Sequence, residues 1–141
     1  MNPRDTRTGT VLEQMVLPAL SRGGYTYETQ KHIGTRLGGR RHIVDVLAVD
    51  AAGHKYLVSL KWQQVGGTAE QKVPFEVICL ADAIINNGGQ FHKAYLVLGG
   101  GGWSLRDFFV GGGLSSHLTR SDLVSIMTLE DFVAQANRGA L

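Results

Sequence analysis

Two neighbouring segments, residues 42–49 and 55–62, constrain this chain more than anything else in it. Both are dominated by β-branched and aliphatic residues, and the turn-forming stretch Asp50, Ala51, Ala52 and Gly53 separates them, so they read as the two strands of a hairpin. Antiparallel partners keep a constant index sum, so symmetric closure about that turn sets Asp45 opposite Ser59. Lys61 follows two residues later on the same face. A carboxylate, a hydroxyl and an ammonium then stand side by side, while Val44, Val46, Val58, Leu60 and Trp62 make the other face apolar. One reading is structural: an Asp and a Lys on adjacent strands form a cross-strand ion pair near the end of a sheet. The elements on either side of the hairpin open a second reading.

Residues 10–20 fit a helix with Leu12, Met15, Val16, Ala19 and Leu20 on one face. Glu13 falls on the flank of that stripe. It has a structural explanation as well, because Thr10 and Glu13 have the spacing of a capping box. Pro18 is expected to kink or tighten the last turn. Residues 25–33 read as an edge strand, followed by a glycine-broken basic stretch. No acid lies between Glu28 and Asp45, whereas Lys31, Arg36, Arg40 and Arg41 are present, a pattern that suits either a loop against phosphates or an ordinary solvated loop.

After the hairpin, Thr68 and Gln71 form a second capping-box pattern, and a helix is expected to run to Ile85, starting at Thr68 or as late as Pro74. It is apolar nearly all round apart from Glu76 and Asp82. Residues 93–98 form a strand, parallel to a neighbour through the helical crossover. The glycine run 99–102 matches neither the dinucleotide fingerprint nor the phosphate-loop lysine pattern, and a mobile loop is expected there. A short helix over 103–110, a strand over 124–127 and a helix over 129–137 complete the chain.

The length of 141 residues suits one domain, 1–141, too short for a catalytic domain plus a separate recognition domain. Hydrophobic residues at 43% and charged residues at 18% describe a folded globular chain, and the net charge of +2 argues only weakly for nucleic acid. No apolar run is long enough to span a bilayer, and residues 1–5 lack a signal-peptide pattern, so the expected location is cytoplasmic, with no membrane partner. The single cysteine, Cys79, excludes an intramolecular disulfide and reads as core. The five histidines lack zinc-ligand spacing.

The order Glu13, then Val44 and Asp45, then Ser59, Leu60 and Lys61, with a helix before and after, resembles the PD-(D/E)XK nuclease superfamily. The resemblance spans roughly residues 10–100. It implies an α/β, restriction-endonuclease-like αβββαβ core with a mixed central sheet flanked by helices. It also implies a metal-dependent DNA endonuclease using magnesium, with manganese able to substitute. Asp45 would be the central metal ligand, the Leu60 carbonyl another, and Glu13 a ligand of a second metal or of its water. Lys61 would orient the attacking water or steady the phosphate, and Lys31, Arg36, Arg40 and Arg41 would contact DNA.

Two positions depart from the family pattern. Val44 replaces a common Pro, and Ser59 stands where an acid is usual, although some members resemble this chain in drawing the acid from the following helix instead. Glu70 and Glu76 are the candidates. Glu70 is preferred because it lies just after the loop that leaves Lys61; Glu76 has Lys72 as an alternative partner four residues back, and Gln63 is a neutral ligand of last resort. Cutting both strands of a duplex needs two sites, hence an expected homodimer or homotetramer. Two other readings stand beside the endonuclease: a non-catalytic nucleic-acid-binding or assembly domain that keeps this fold, and a buried ion pair in an unrelated α/β domain.

Overall fold

The computed structural model describes residues 6–141, with side chains from residue 8 onward; the stretch 1–5, read above for targeting signals, lies outside the described residues. The first elements are α1 (Thr6–Val11), a π-helical turn (Leu12–Val16) and α2 (Leu17–Arg22), and helical dihedrals at Val11, Val16 and Leu17 make them continuous. Thr10 therefore lies within a helix rather than at its start, and is not the N-cap that the expected capping box with Glu13 requires. Pro18 acts differently from expectation too. It has no N–H and its ring crowds the carbonyl four residues back. The helix widens upstream of it, with the Leu17 N–H donating to the Leu12 carbonyl five residues away.

β1 (Thr26–Thr35), β2 (Arg41–Val49), β3 (Lys55–Trp62), β4 (Lys93–Gly99) and β5 (Val124–Thr128) form one sheet in that spatial order. β1, β2 and β3 pair antiparallel, and β3, β4 and β5 parallel. The parallel step from β3 to β4 is made by α3 (Ala69–Ile85), as a crossover requires. α4 (Arg106–Val110) and α5 (Leu129–Asn137) follow β4 and β5. α4 starts later than expected because Trp103 is buried and its indole N–H donates to the Gly99 carbonyl at 2.8 Å.

Two apolar layers enclose the sheet. On one face Leu57, Leu96 and Leu98 pack against Val73, Val77 and Leu80 of α3. On the other, Val46, Val58, Tyr95 and Val97 meet Leu12, Val16 and Leu20 of the N-terminal helices and Phe132 of α5. Each such fully buried aliphatic side chain contributes roughly 1.5–3 kcal/mol of transfer free energy. Among the described residues no helix is long and apolar enough to cross a membrane.

The glycine run is a packed seam, not the mobile loop expected. The Gln63 N–H donates to the Gly99 carbonyl at 3.0 Å, and the Gly102 N–H donates to the Gln63 carbonyl at 2.8 Å. A Cβ on Gly102 would sit 2.5 Å from the Val65 nitrogen and 2.6 Å from the Gln64 carbonyl carbon. Backbone cannot yield as a side chain can, so Gly102→Ala is expected to destabilise the fold by roughly 1–3 kcal/mol. Gly101→Ala, where nothing lies within 4 Å of the added carbon, should be close to neutral. Urea denaturation of the two variants checks the contrast.

Candidate active site

The β2–β3 ladder runs from Val49 opposite Lys55 to Val46 opposite Val58, with the index sum expected from the sequence. The register stops there. β3 continues beside β4 as far as Trp62 opposite Gly99, leaving its β2-side edge open from Ser59 onward. The parting coincides with a change of face along β2. Val44 and Leu47 both pack in the α3 layer, while Val46 and Ala48 pack in the opposite layer. A strand of strict period two cannot do this, so the side chains of β2 are offset in facing across Asp45, although its register with β1 is the same on both sides. Across the β1–β2 ladder, between the pairs Thr29–Val46 and Lys31–Val44, stands Gln30 with φ 49°, a left-handed conformation uncommon outside glycine.

The offset turns Asp45 into the gap. Its Oδ2 accepts the Leu60 N–H at 2.7 Å, and the Gln30 amide lies 3.5 Å from Oδ1. An extended residue presents its N–H and C=O to the same edge, so the Leu60 carbonyl faces the same opening.

Ser59 and Lys61 point to the α3 layer, the side of Leu57. There the Ser59 hydroxyl donates to Glu76 Oε1 at 3.1 Å, and Lys61 Nζ lies 3.8 Å from Glu76 Oε2. Glu76 is 9% exposed and Ser59 4%. Burying a carboxylate is costly unless it is matched, and here an ammonium and a hydroxyl match it. Its partner is thus Lys61, not Lys72. The helix phase carried the signal: Glu76 lies three residues after Val73 and four before Leu80, both fully buried against the sheet.

Glu70, the acid preferred from the sequence, is engaged elsewhere. The Ser104 hydroxyl lies 3.0 and 2.8 Å from its two carboxylate oxygens, and the Leu105 N–H donates to it at 2.8 Å. Those bonds, the Leu105 amide first and the Ser104 hydroxyl second, hold its carboxyl below the usual carboxylate range. Gln63 is also committed. Its amide donates to the Gly102 carbonyl at 2.8 Å and accepts the Ala69 N–H at 3.1 Å, taking the place of the capping box expected at Thr68. Neither side chain is directed at Ser59.

Glu13 is exposed on the π-helical turn, lining a small cavity of about 130 Å³ with Leu12, Leu17, Thr29 and Gln30. Gln30 is the shared neighbour that links this cavity to Asp45. Of the basic residues, Lys31 pairs with Glu28 at 3.4 Å and Arg36 lies over the Phe75 ring at 5.8 Å, while Arg40 and Arg41 are exposed. His42 had not stood out in the sequence. It is 3% exposed, and its Nε2 has no hydrogen-bond partner. Burial pushes its imidazole below the usual range; Glu76 and Asp82 oppose that effect, and Arg36 and Lys61 add to it. A neutral buried imidazole therefore shares the electrostatic neighbourhood of Glu76 and Lys61.

The sequence model of a family described as the PD-(D/E)XK nuclease superfamily domain matches residues 4–140. The chain belongs to the PD-(D/E)XK nuclease superfamily. Its five-stranded mixed sheet flanked by helices is the restriction-endonuclease-like fold expected. Among solved structures, the chain is similar to a protein of unknown function, AF1548, at 12% identity and a TM-score of 0.52, covering 80% of this chain and 54% of that one. Lower TM-scores accompany a repair endonuclease from Pyrococcus abyssi (0.43, 16% identity, 91% and 47% covered) and EndoMS in complex with double-stranded DNA (0.48, 18% identity, 86% and 42% covered). The chain spans about half the length of these proteins. No curated protein matches it significantly.

Within this superfamily domain, no three His, Cys, Asp or Glu side chains gather among the described residues. The donor chemistry nonetheless suits a hard cation. Asp45, the Leu60 carbonyl and Glu76 supply oxygen only, and magnesium is commonly held by one or two carboxylates while keeping several waters.

Proposed function

We propose that this domain is a magnesium-dependent DNA endonuclease, with manganese able to substitute, whose metal-holding groups are Asp45, the Leu60 carbonyl and Glu76. The observation that carries this reading is the meeting of Glu76 with Ser59 and Lys61 beside the place where β2 and β3 part around Asp45. The acid missing at Ser59 is supplied from α3, and Ser59 becomes its hydrogen-bond donor. A bound divalent cation supplies an acidified water and offsets charge on the phosphate. The chain's own groups do the rest. Leu60 fixes the Asp45 carboxylate through its N–H, Ser59 fixes that of Glu76, and Lys61 presents its ammonium to the attacking water or the scissile phosphate. Glu13, on the N-terminal helix and lining the same small cavity as Gln30, would hold a second metal or its water. Arg40 and Arg41 meet DNA phosphates, with Arg36 and Lys31 behind them, and a homodimer or homotetramer brings two sites to a duplex.

Purified protein incubated with supercoiled plasmid, a four-way junction and single-stranded DNA, in magnesium and in EDTA, tests this. Cleavage of at least one substrate in magnesium, lost in EDTA, is the expected result. Binding without cleavage in either magnesium or manganese would instead favour a nucleic-acid-binding or assembly domain.

A further inference from the structure

The turn joining β1 to β2 carries a partly exposed hydrophobic side chain at its tip. The Gly39 N–H donates to the Arg36 carbonyl at 3.0 Å, and Gly38 has φ 92°, so residues 36–39 form a turn with Leu37 at its first corner and a left-handed glycine at its second. The Arg36 N–H then closes on the Arg40 carbonyl at 2.9 Å. Leu37 is 43% exposed. A lone exposed leucine needs no explanation in general. This one differs in how it is held and in what surrounds it.

The turn is packed against α3. The Arg36 guanidinium lies over the Phe75 ring at 5.8 Å, and the Leu37 backbone comes close to the buried Cys79 of the same helix. The turn is held against the helix while its apolar side chain keeps 43% of its exposure. Arg36, Arg40 and Arg41 surround it, and no acid occurs between Glu28 and Asp45 to oppose them. A strand rises about 3.3 Å per residue, so Arg41 and Asp45 are roughly 13 Å apart along β2, and Leu37 lies past Arg41 in the turn beyond the last paired residues. The tip is thus at least about four base steps of duplex from Asp45.

From this arrangement we infer that the β1–β2 turn is a wedge for duplex DNA: arginines seat it on the phosphates and Leu37 enters a base step. Apolar side chains inserted in this way unstack and kink a duplex at a cost of a few kcal/mol per step. Pyrimidine–purine and mismatched steps open most readily. The substrate class is then a duplex that is easily opened at least about four base steps from the cut. The inference rests on the endonuclease reading of the same site, and its test is run without metal so that the two fail separately.

The probe is a short duplex carrying 2-aminopurine at a TA step, titrated in EDTA with wild-type protein, Leu37→Ala, Leu37→Phe and the Arg40→Ala/Arg41→Ala pair. Wild type and Leu37→Phe should bind and raise the fluorescence of the unstacked base. Leu37→Ala should bind and leave it flat. The arginine pair should bind more weakly, with a salt slope smaller by about two. Binding by wild type without a fluorescence rise, or an equal rise with Leu37→Ala, overturns the wedge. So does a Leu37→Ala protein that loses only its oligomeric state, which makes the tip a protein contact. Absence of duplex binding in EDTA overturns the wedge and leaves the endonuclease to its cleavage test in magnesium, whereas a protein that binds and unstacks but never cuts when magnesium is added overturns the endonuclease alone.

Discussion

Glu76→Gln is expected to lower DNA cleavage by at least about 10²-fold, the scale seen when a group that orients a metal or stabilises developing charge is lost. Glu70→Gln is expected to cut at the wild-type rate. The contrast follows from where each carboxylate is engaged: Glu76 with Ser59 and Lys61, Glu70 with Ser104 and Leu105. Loss of the Glu70 bonds should lower the melting temperature a little without touching the chemistry. Glu76→Leu removes the cost of burying a carboxylate but leaves the buried Ser59 hydroxyl without its acceptor and Lys61 without its counter-charge, so its stability should stay within roughly 1–3 kcal/mol of wild type. Inactivity in a protein that still folds is the signature of a group kept for function. Single-turnover cleavage and thermal melts of the three variants decide it, and an inactive Glu70→Gln beside an active Glu76→Gln would reverse the assignment.

Lys61→Met should act on two observables. Cleavage should fall by about 10²–10⁴-fold, the range of a positioned acid, base or proton-orienting group. Stability should also fall, because the mostly buried Glu76 carboxylate keeps only the Ser59 hydroxyl. Lys61 retains 30% of its side-chain exposure, so the fall should be roughly 1 kcal/mol, well below that of a fully buried pair. Adding Glu76→Gln to Lys61→Met should recover that stability while leaving the protein inactive. A double-mutant cycle in urea measures this coupling. Additive losses would mean that the two side chains do not support one another.

Most of the fold was legible because the strands around the site are long, apolar and separated by a self-sufficient turn. β3 begins and ends at the residues read from the sequence, as does α5. The turn between β2 and β3 holds its own geometry: the Asp50 carboxylate accepts the N–H groups of Ala52 and His54, at 3.0 and 2.9 Å, and the Tyr56 hydroxyl at 3.0 Å. What was not legible depends on partners distant in sequence. The offset of β2 at Asp45 requires Gln30, fifteen residues earlier, in a left-handed conformation that no local pattern announces. The glycine run reads as loose until Gln63 and Val65 are set against it. Thr10 and Glu13 have capping-box spacing inside a helix, where that spacing means nothing. The meeting of Glu76 with Ser59 and Lys61 is a different case, because the helix phase relative to Val73 and Leu80 makes it readable in the sequence.

Asp45 is the residue on which the account depends, since it is held in the gap by Leu60 and has no role in either apolar layer. The most direct measurement is cleavage by wild type and by Asp45→Asn in magnesium, with DNA binding and circular dichroism recorded for both. Asn keeps an oxygen for the Leu60 N–H but removes the charge that holds a cation. The account predicts a folded Asp45→Asn protein that binds DNA like wild type and cuts at least about 10³-fold more slowly; cutting at the wild-type rate by Asp45→Asn would contradict it.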